Sequence, residues 1–150
     1  MKIRCIANTG ASLSDDYIEP AIGYTKEIQF SLTIDQEYVV YAFREWRGTI
    51  WYYICDDIYS YYPIPNPAPL FEVVDDRVSK YWRFKISPNG FLMIAFEQWF
   101  TEPYFYDKLT DREEAEVEIF EKLKELMDAE DFDLPPLDIA VEKLRETVSV

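Results

Sequence analysis

TIWYYICDDIYSYYP, Thr49–Pro63, follows the run YVVYAF, Tyr38–Phe43, across a short segment containing Gly48, and the way these two runs pair decides the fold. Both are dominated by Tyr, Val, Ile, Phe and Trp, side chains that fit a pleated surface. A glycine between two such runs marks a hairpin. With Arg47 and Gly48 as the loop, Trp46 faces Thr49 and opposing residue numbers add to 95. One face then carries Val39, Tyr41, Phe43, Ile50, Tyr52 and Ile54, and the other Tyr38, Val40, Ala42, Arg44, Trp51, Tyr53 and Cys55. A sheet with one solvated side shows polar residues there. Both faces here are largely apolar, so something covers the second one: the chain's own helices, favoured because apolar faces are mostly buried within a domain, or another molecule. Arg44 opposite Trp51 is placed for a cation–π contact.

Outward from the hairpin, the pattern remains mostly of period two. Lys2–Ala7 predicts a short strand that Asn8–Gly10 ends. Asp15–Gly23, with Pro20, predicts a surface loop, and Phe30–Ile34 alternates as a half-buried strand does. Prolines at 63, 65, 67 and 69 predict a stiff extended crossover along a sheet edge; their spacing of two does not present the three-residue repeat of a polyproline ligand. Leu70–Val74 is a further strand, ended by Asp75, Asp76 and Arg77. In Tyr81–Ile86, Trp82, Phe84 and Ile86 share one face and Tyr81, Arg83 and Lys85 the other. Asn89 and Gly90 turn the chain into the continuous apolar run Phe91–Phe96, suited to a buried strand.

Helical signals replace this pattern after Phe96. Glu97–Phe100 predicts a helical turn, and Thr101, Glu102 and Pro103 an entry to a short helix ending near Leu109. Thr110 and Glu113 have the spacing of a capping box, after which Ala115, Ile119, Phe120, Leu123, Leu126 and Met127 form one apolar stripe. The opposite face is rich in glutamate, with Glu113, Glu114 and Glu116 near the positive helix end and Glu118 paired with Lys122. Asp131–Pro136 breaks the helix, and Leu137, Val141, Leu144 and Val148 predict a final amphipathic one that docks on the domain or on a second subunit. The fold class expected is therefore α+β: a small antiparallel β-barrel or strongly bent sheet, about residues 1–96, followed by two to three C-terminal helices, about 97–150, in one domain spanning 1–150.

Composition fits that size and narrows the chemistry. A chain of 150 residues, 49% hydrophobic, buries a core without disulfides or metals. Residues 1–100 hold 13 acids and 9 bases, whereas 101–150 hold 16 acids and 6 bases, so most of the net charge of −14 belongs to the last third. Such a chain repels phosphate backbones and anionic lipid, which disfavours nucleic acid and membranes and favours a basic protein partner. Basic residues around Tyr81 and Trp82 are explained by pairing with the acidic helix. The N-terminus lacks a signal-peptide pattern, and no apolar run approaches membrane-spanning length, so the expected address is the cytoplasm. Cys5 and Cys55 read as reduced core thiols.

Histidine is absent, which removes the side chain that most often serves as general base near neutral pH. The doublets Asp15–Asp16, Asp56–Asp57 and Asp75–Asp76 do not converge on a site by themselves, since neighbours on a strand point to opposite faces. They read as turn and strand-end residues. No cofactor or metal is called for. A carboxylate-dependent hydrolase or small-ligand protein using the aromatic band, and a self-associating structural subunit, are the alternatives to a binding module.

The succession LTIDQEYVVYAF, WYYICDD, LFEVVDDR and YWRF, about Leu32–Phe84, resembles a group of uncharacterised small acidic bacterial proteins with a barrel like that of Src-homology domains. Asp35 departs from that pattern, which commonly has glycine there. The resemblance implies an immunity-type role, neutralising a cognate toxin, and carries over no functional residue. It agrees with the bottom-up reading of an acidic, non-enzymatic binding module with aromatic anchors, and with the resemblance added the expected function is an immunity-type inhibitor of a basic toxin. Interfaces draw their strongest contacts from Trp, Tyr and Arg, so the expected partner-binding residues are Arg44, Trp46, Trp51, Tyr53, Asp56, Asp57, Tyr59 and Tyr61.

Overall fold

The computed structural model describes residues 1–132 and 145–147 of the chain. Eight strands form two antiparallel sheets. In chain order they are β1 Lys2–Cys5, β2 Glu37–Val39, β3 Ala42–Trp46, β4 Thr49–Ile54, β5 Ile64–Pro67, β6 Phe71–Asp75, β7 Trp82–Ile86 and β8 Leu92–Phe96. The small sheet has the order β2-β1-β6 and the large one β5-β4-β3-β8-β7. Helices α1 (Glu97–Thr101), α2 (Phe105–Thr110) and α3 (Glu114–Asp128) follow. The α+β class is as expected, but the sheets do not close into a barrel. No helix among the described residues is long and apolar enough to cross a membrane.

The hairpin has the expected register: Trp46 opposes Thr49, Arg44 opposes Trp51 and Ala42 opposes Tyr53. Arg47 and Gly48 both take positive φ, 49° and 82°, as a two-residue loop matching strand twist requires. Glu45 accepts the Gly48 N–H through Oε1 at 2.7 Å. One expectation is corrected at the other end. Tyr38–Phe43 is not one strand: β2 pairs with β1, and the chain changes sheets at Val40–Tyr41 before entering β3. Tyr38 and Val40 therefore leave the hairpin's second face. Two short strands in different sheets produce the same local pattern as one long strand, so period two alone does not separate them.

Phe30–Ile34 is also not a strand. Phe30 N–H donates to Asn8 O, Asn8 Nδ2 donates to Leu32 O, and Asp57 N–H donates to Ser31 O. Its polar groups are used by turns and loop contacts. Asp35 occupies a left-handed conformation, φ 71°, one that short polar side chains tolerate better than most. The proline segment forms β5, pairing as an edge strand with β4. Pro65 and Pro67 fit there because the outer side of an edge strand needs no backbone donor.

A continuous core joins the sheets and helices. Ile3, Cys5, Tyr38 and Phe71 from the small sheet share it with Ile54, Trp82 and Phe96 from the large one, and with Phe105, Leu109, Phe120, Leu123 and Met127. On α3, the expected stripe is buried at Phe120, Leu123 and Met127, while Leu126 and Ala115 lie outside. Tyr41 holds this helix: its ring meets Phe120 edge-on at 5.4 Å and its hydroxyl donates to Asp128 Oδ1 at 2.5 Å. Lys124 pairs with the same carboxylate at 2.6 Å.

The capping box is corrected. Thr110 ends α2, where its hydroxyl donates to Asp107 O at 2.9 Å, and Glu113 precedes α3 without a side-chain cap. Arg112, at φ 60°, makes the turn between the helices. The entry at Pro103 is likewise replaced by Tyr104, φ 56°, at the start of α2. β7 departs from expectation in burial, since Trp82 is buried but Phe84 is 71% exposed. The predicted helix Leu137–Val148 lies outside the described residues apart from 145–147.

Candidate functional site

The second face of the hairpin is covered from within, by two different parts of the chain. Tyr53 lies beneath Trp99 and Tyr106, with ring centroids at 5.2 and 5.4 Å, so α1 and α2 close one end. Tyr106 also donates to Pro63 O at 2.8 Å. At the other end, Tyr17 and Tyr24 reach over Trp51 at 5.5 and 5.3 Å. Trp51 and Tyr53 are thus core residues.

Where the N-terminal segment meets the hairpin tip is a crevice of about 360 Å³, bounded by Asp16, Tyr17, Glu19 and Tyr24 on one side and by Arg44, Trp46, Arg47 and Trp51 on the other. Its walls are fixed by hydrogen bonds. Tyr17 OH accepts from Ile50 N–H at 3.0 Å and is 3.3 Å from Ile50 O. Buried Thr49 accepts from the Trp51 indole N–H at 2.9 Å and donates to Trp46 O at 2.5 Å. Trp46 stacks on Phe91 at 4.3 Å.

Arg44 stands in this crevice, paired with no carboxylate among the described residues. Its guanidinium carbon lies 5.9 Å from the Trp46 ring and 6.0 Å from the Tyr53 ring, replacing the expected contact with Trp51. Its Nε is buried with no hydrogen-bond partner. Burial raises the Tyr24 and Tyr53 phenols above their ordinary value, and the Arg44 charge acts in the opposite direction on both. Arg47 caps the Trp46 ring from the rim at 5.2 Å.

Asp56, Asp57, Tyr59 and Tyr61 lie beyond the opposite end of β4. The aspartates are engaged structurally. Asp56 Oδ1 accepts the N–H groups of Ile58 and Tyr59 at 2.9 and 2.8 Å. Asp57 accepts from Thr33 Oγ1 and from the Tyr38 hydroxyl, both at 2.7 Å. Tyr59, Tyr61 and Tyr62 form a ring cluster with centroids 4.6 to 6.1 Å apart. Arg112 lies over Tyr61 at 4.2 Å, beside a shallow groove bounded by Tyr61, Glu114, Val117 and Glu118. Ile58, at 68% exposure, projects from the same loop.

The eight predicted residues therefore form two groups, Arg44, Trp46, Trp51 and Tyr53 on β3 and β4, and Asp56, Asp57, Tyr59 and Tyr61 beyond the far end of β4. Sequence reading missed Tyr17, Tyr24, Ile58 and Arg112. Aromatics in the otherwise polar stretch Asp15–Thr25 were the available signal for the first two. The other doublets are dispersed: Asp15 is exposed with Lys26 at 3.7 Å, and Asp75 pairs with Arg77 at 2.7 Å. Glu130 accepts from Ser79 Oγ and the Lys80 N–H, tying the basic segment to the acidic end of the chain. No three His, Cys, Asp or Glu side chains gather as metal ligands among the described residues. No protein-family model matches the chain, nor does any curated protein or solved structure.

Proposed function

We propose that this is a non-enzymatic binding protein, acting as an immunity-type inhibitor of a basic bacterial toxin, on a compact β scaffold that carries the Src-homology-like resemblance. The observation that supports it is the pairing of exposed Ile58 and Tyr59 with the acidic face of α3 across the Tyr61–Arg112 groove. Exposed apolar and aromatic anchors supply contact area, and a surrounding field of one sign steers a partner of the other. Glu114, Glu118, Glu121 and Glu125 are exposed along that helix. The partner is a basic protein bound at this end of β4.

Affinity capture from the source cells should recover one stoichiometric basic protein. Its association rate should fall with salt and fall again in Glu118→Gln/Glu121→Gln, whereas Tyr59→Ala should act mainly on dissociation. Stoichiometric inhibition of the partner's activity would establish the immunity role. Recovery of no partner, or association insensitive to salt, would remove the reading.

A further inference from the structure

We propose that the crevice between the hairpin tip and the Asp15–Gly23 segment binds a small monocarboxylic acid with a flat apolar body, its carboxylate on the Arg44 guanidinium and its body against Tyr17, Tyr24 and Trp46. This site is separate from the docking end of β4 and stands whether or not that reading holds.

Three observations converge on it. First, Arg44 has no acidic partner among the described residues. Arg4 pairs with Glu72 and Arg77 with Asp75, yet among the described residues no hydrogen bond or ion pair engages Arg44, and its Nε is buried and unsatisfied. Leaving a buried donor of a charged group unmade is costly, and such a group calls for an explanation. A carboxylate meets the planar guanidinium fork in complementary geometry.

Second, Arg47 sits on the rim in the left-handed region, φ 49°, where Asn or Gly is the easier choice. Its charge adds to the attraction for an anion, while Asp16 and Glu19 on the facing rim oppose a second negative charge. The balance selects a monoanion over a phosphate dianion.

Third, the walls set the rings of Tyr17, Tyr24 and Trp46 beside the charged Asp16, Glu19, Arg44 and Arg47, and the Tyr17–Ile50 and Thr49–Trp51 hydrogen bonds hold them in place. At about 360 Å³ the volume is at the small end of ligand sites, which are characteristically apolar with a few convergent polar groups. Tyr and Trp faces accept a flat ring with little entropy loss.

The test uses the intact chain with 3-phenylpropionate, its amide, and phenyl phosphate, followed by calorimetry and by 1H–15N spectra. Phenylpropionate should bind saturably and shift the Arg44 Nε–H and the Trp46 and Trp51 indole N–H signals. The amide and the phosphate should each bind at least ten-fold more weakly, and Arg44→Gln should lose the binding that Arg44→Lys partly keeps. Equal affinity for the acid and the amide in the unaltered protein overturns the proposal, so it remains open to refutation even if the variants do not fold. Absence of saturable binding, or wild-type affinity in folded Arg44→Gln, overturns it as well. Tighter binding of a peptide ending in a phenylalanine carboxylate would assign the crevice to a protein terminus and overturn the small-acid reading.

Discussion

Replacing Tyr41 by Phe removes a single oxygen at the point where α3 is fixed to the sheets, and the structure sets the size of the effect. The ring is buried and its edge-on contact with Phe120 survives the change. What is lost is a hydrogen bond to a carboxylate, a class worth about 1.5 to 3 kcal/mol. Asp128 keeps Lys124 at 2.6 Å and its side chain is 36% exposed, so no buried charge is stranded. The low end therefore applies, about 1.5 kcal/mol. For a chain of this length that corresponds to a fall in Tm of roughly 3 to 6 °C. With an m-value of about 2 kcal/mol/M, the urea midpoint should fall by roughly 0.7 M at unchanged slope. Asp128→Asn should reproduce most of this loss. The double variant should show a coupling energy of about 1 kcal/mol, since neighbours sharing one bond are not additive. A midpoint within about 0.1 M of the parent, or strict additivity of the two changes, would refute the view that this bond docks the helix.

Phe120→Ala, at a fully buried position, should cost about 3 to 5 kcal/mol, whereas Leu126→Ala, 40% exposed on the same helix, should cost under about 1 kcal/mol by urea titration; equal losses would contradict the assigned helix face. Asp75 is held at about 2, below the ordinary 3.8, chiefly by the Arg77 guanidinium. Because the folded value is the lower one, its stabilisation is complete above about pH 4 and is lost as pH falls through about 2. Asp75→Asn should flatten stability across that interval, and an unchanged acid profile would rule this out. Gly10→Ala would place a Cβ 1.9 Å from Thr25 O, a backbone atom, so a loss of about 2 kcal/mol or more is expected; a neutral result in thermal melts would show that the Thr25–Ile28 segment yields. Burial pushes the Cys55 thiol up to about 12. Its reaction with an aromatic disulfide at pH 8 should be slow until the chain unfolds, and rapid native labelling would count against the shielding of this half-buried thiol.

The primary structure alone determined the hairpin and its register. Arg47 and Gly48 are a loop of the right length between β-rich runs, and side-chain alternation then leaves few ways to pair them. It likewise determined that the second face needed a cover, because both faces are largely apolar, and that helices would follow Phe96, as they do through Asp128. Tertiary structure decided where that cover comes from. Trp99 and Tyr106 arrive from α1 and α2, and Tyr17 and Tyr24 from an N-terminal segment that reads as a polar loop. It also decided that Tyr38–Phe43 divides between two sheets and that Thr110 closes one helix instead of opening the next, since local spacing is the same in either arrangement. The aromatic stretch itself is divided by alternation and burial. Tyr52, Tyr53 and Trp51 belong to the packed interior, Ile58 and Tyr59 to the surface, and Arg44 to a crevice that exists only because segments some 25 residues apart meet there. Periodicity tells which side of a strand a residue takes; only long-range packing determines what stands opposite it.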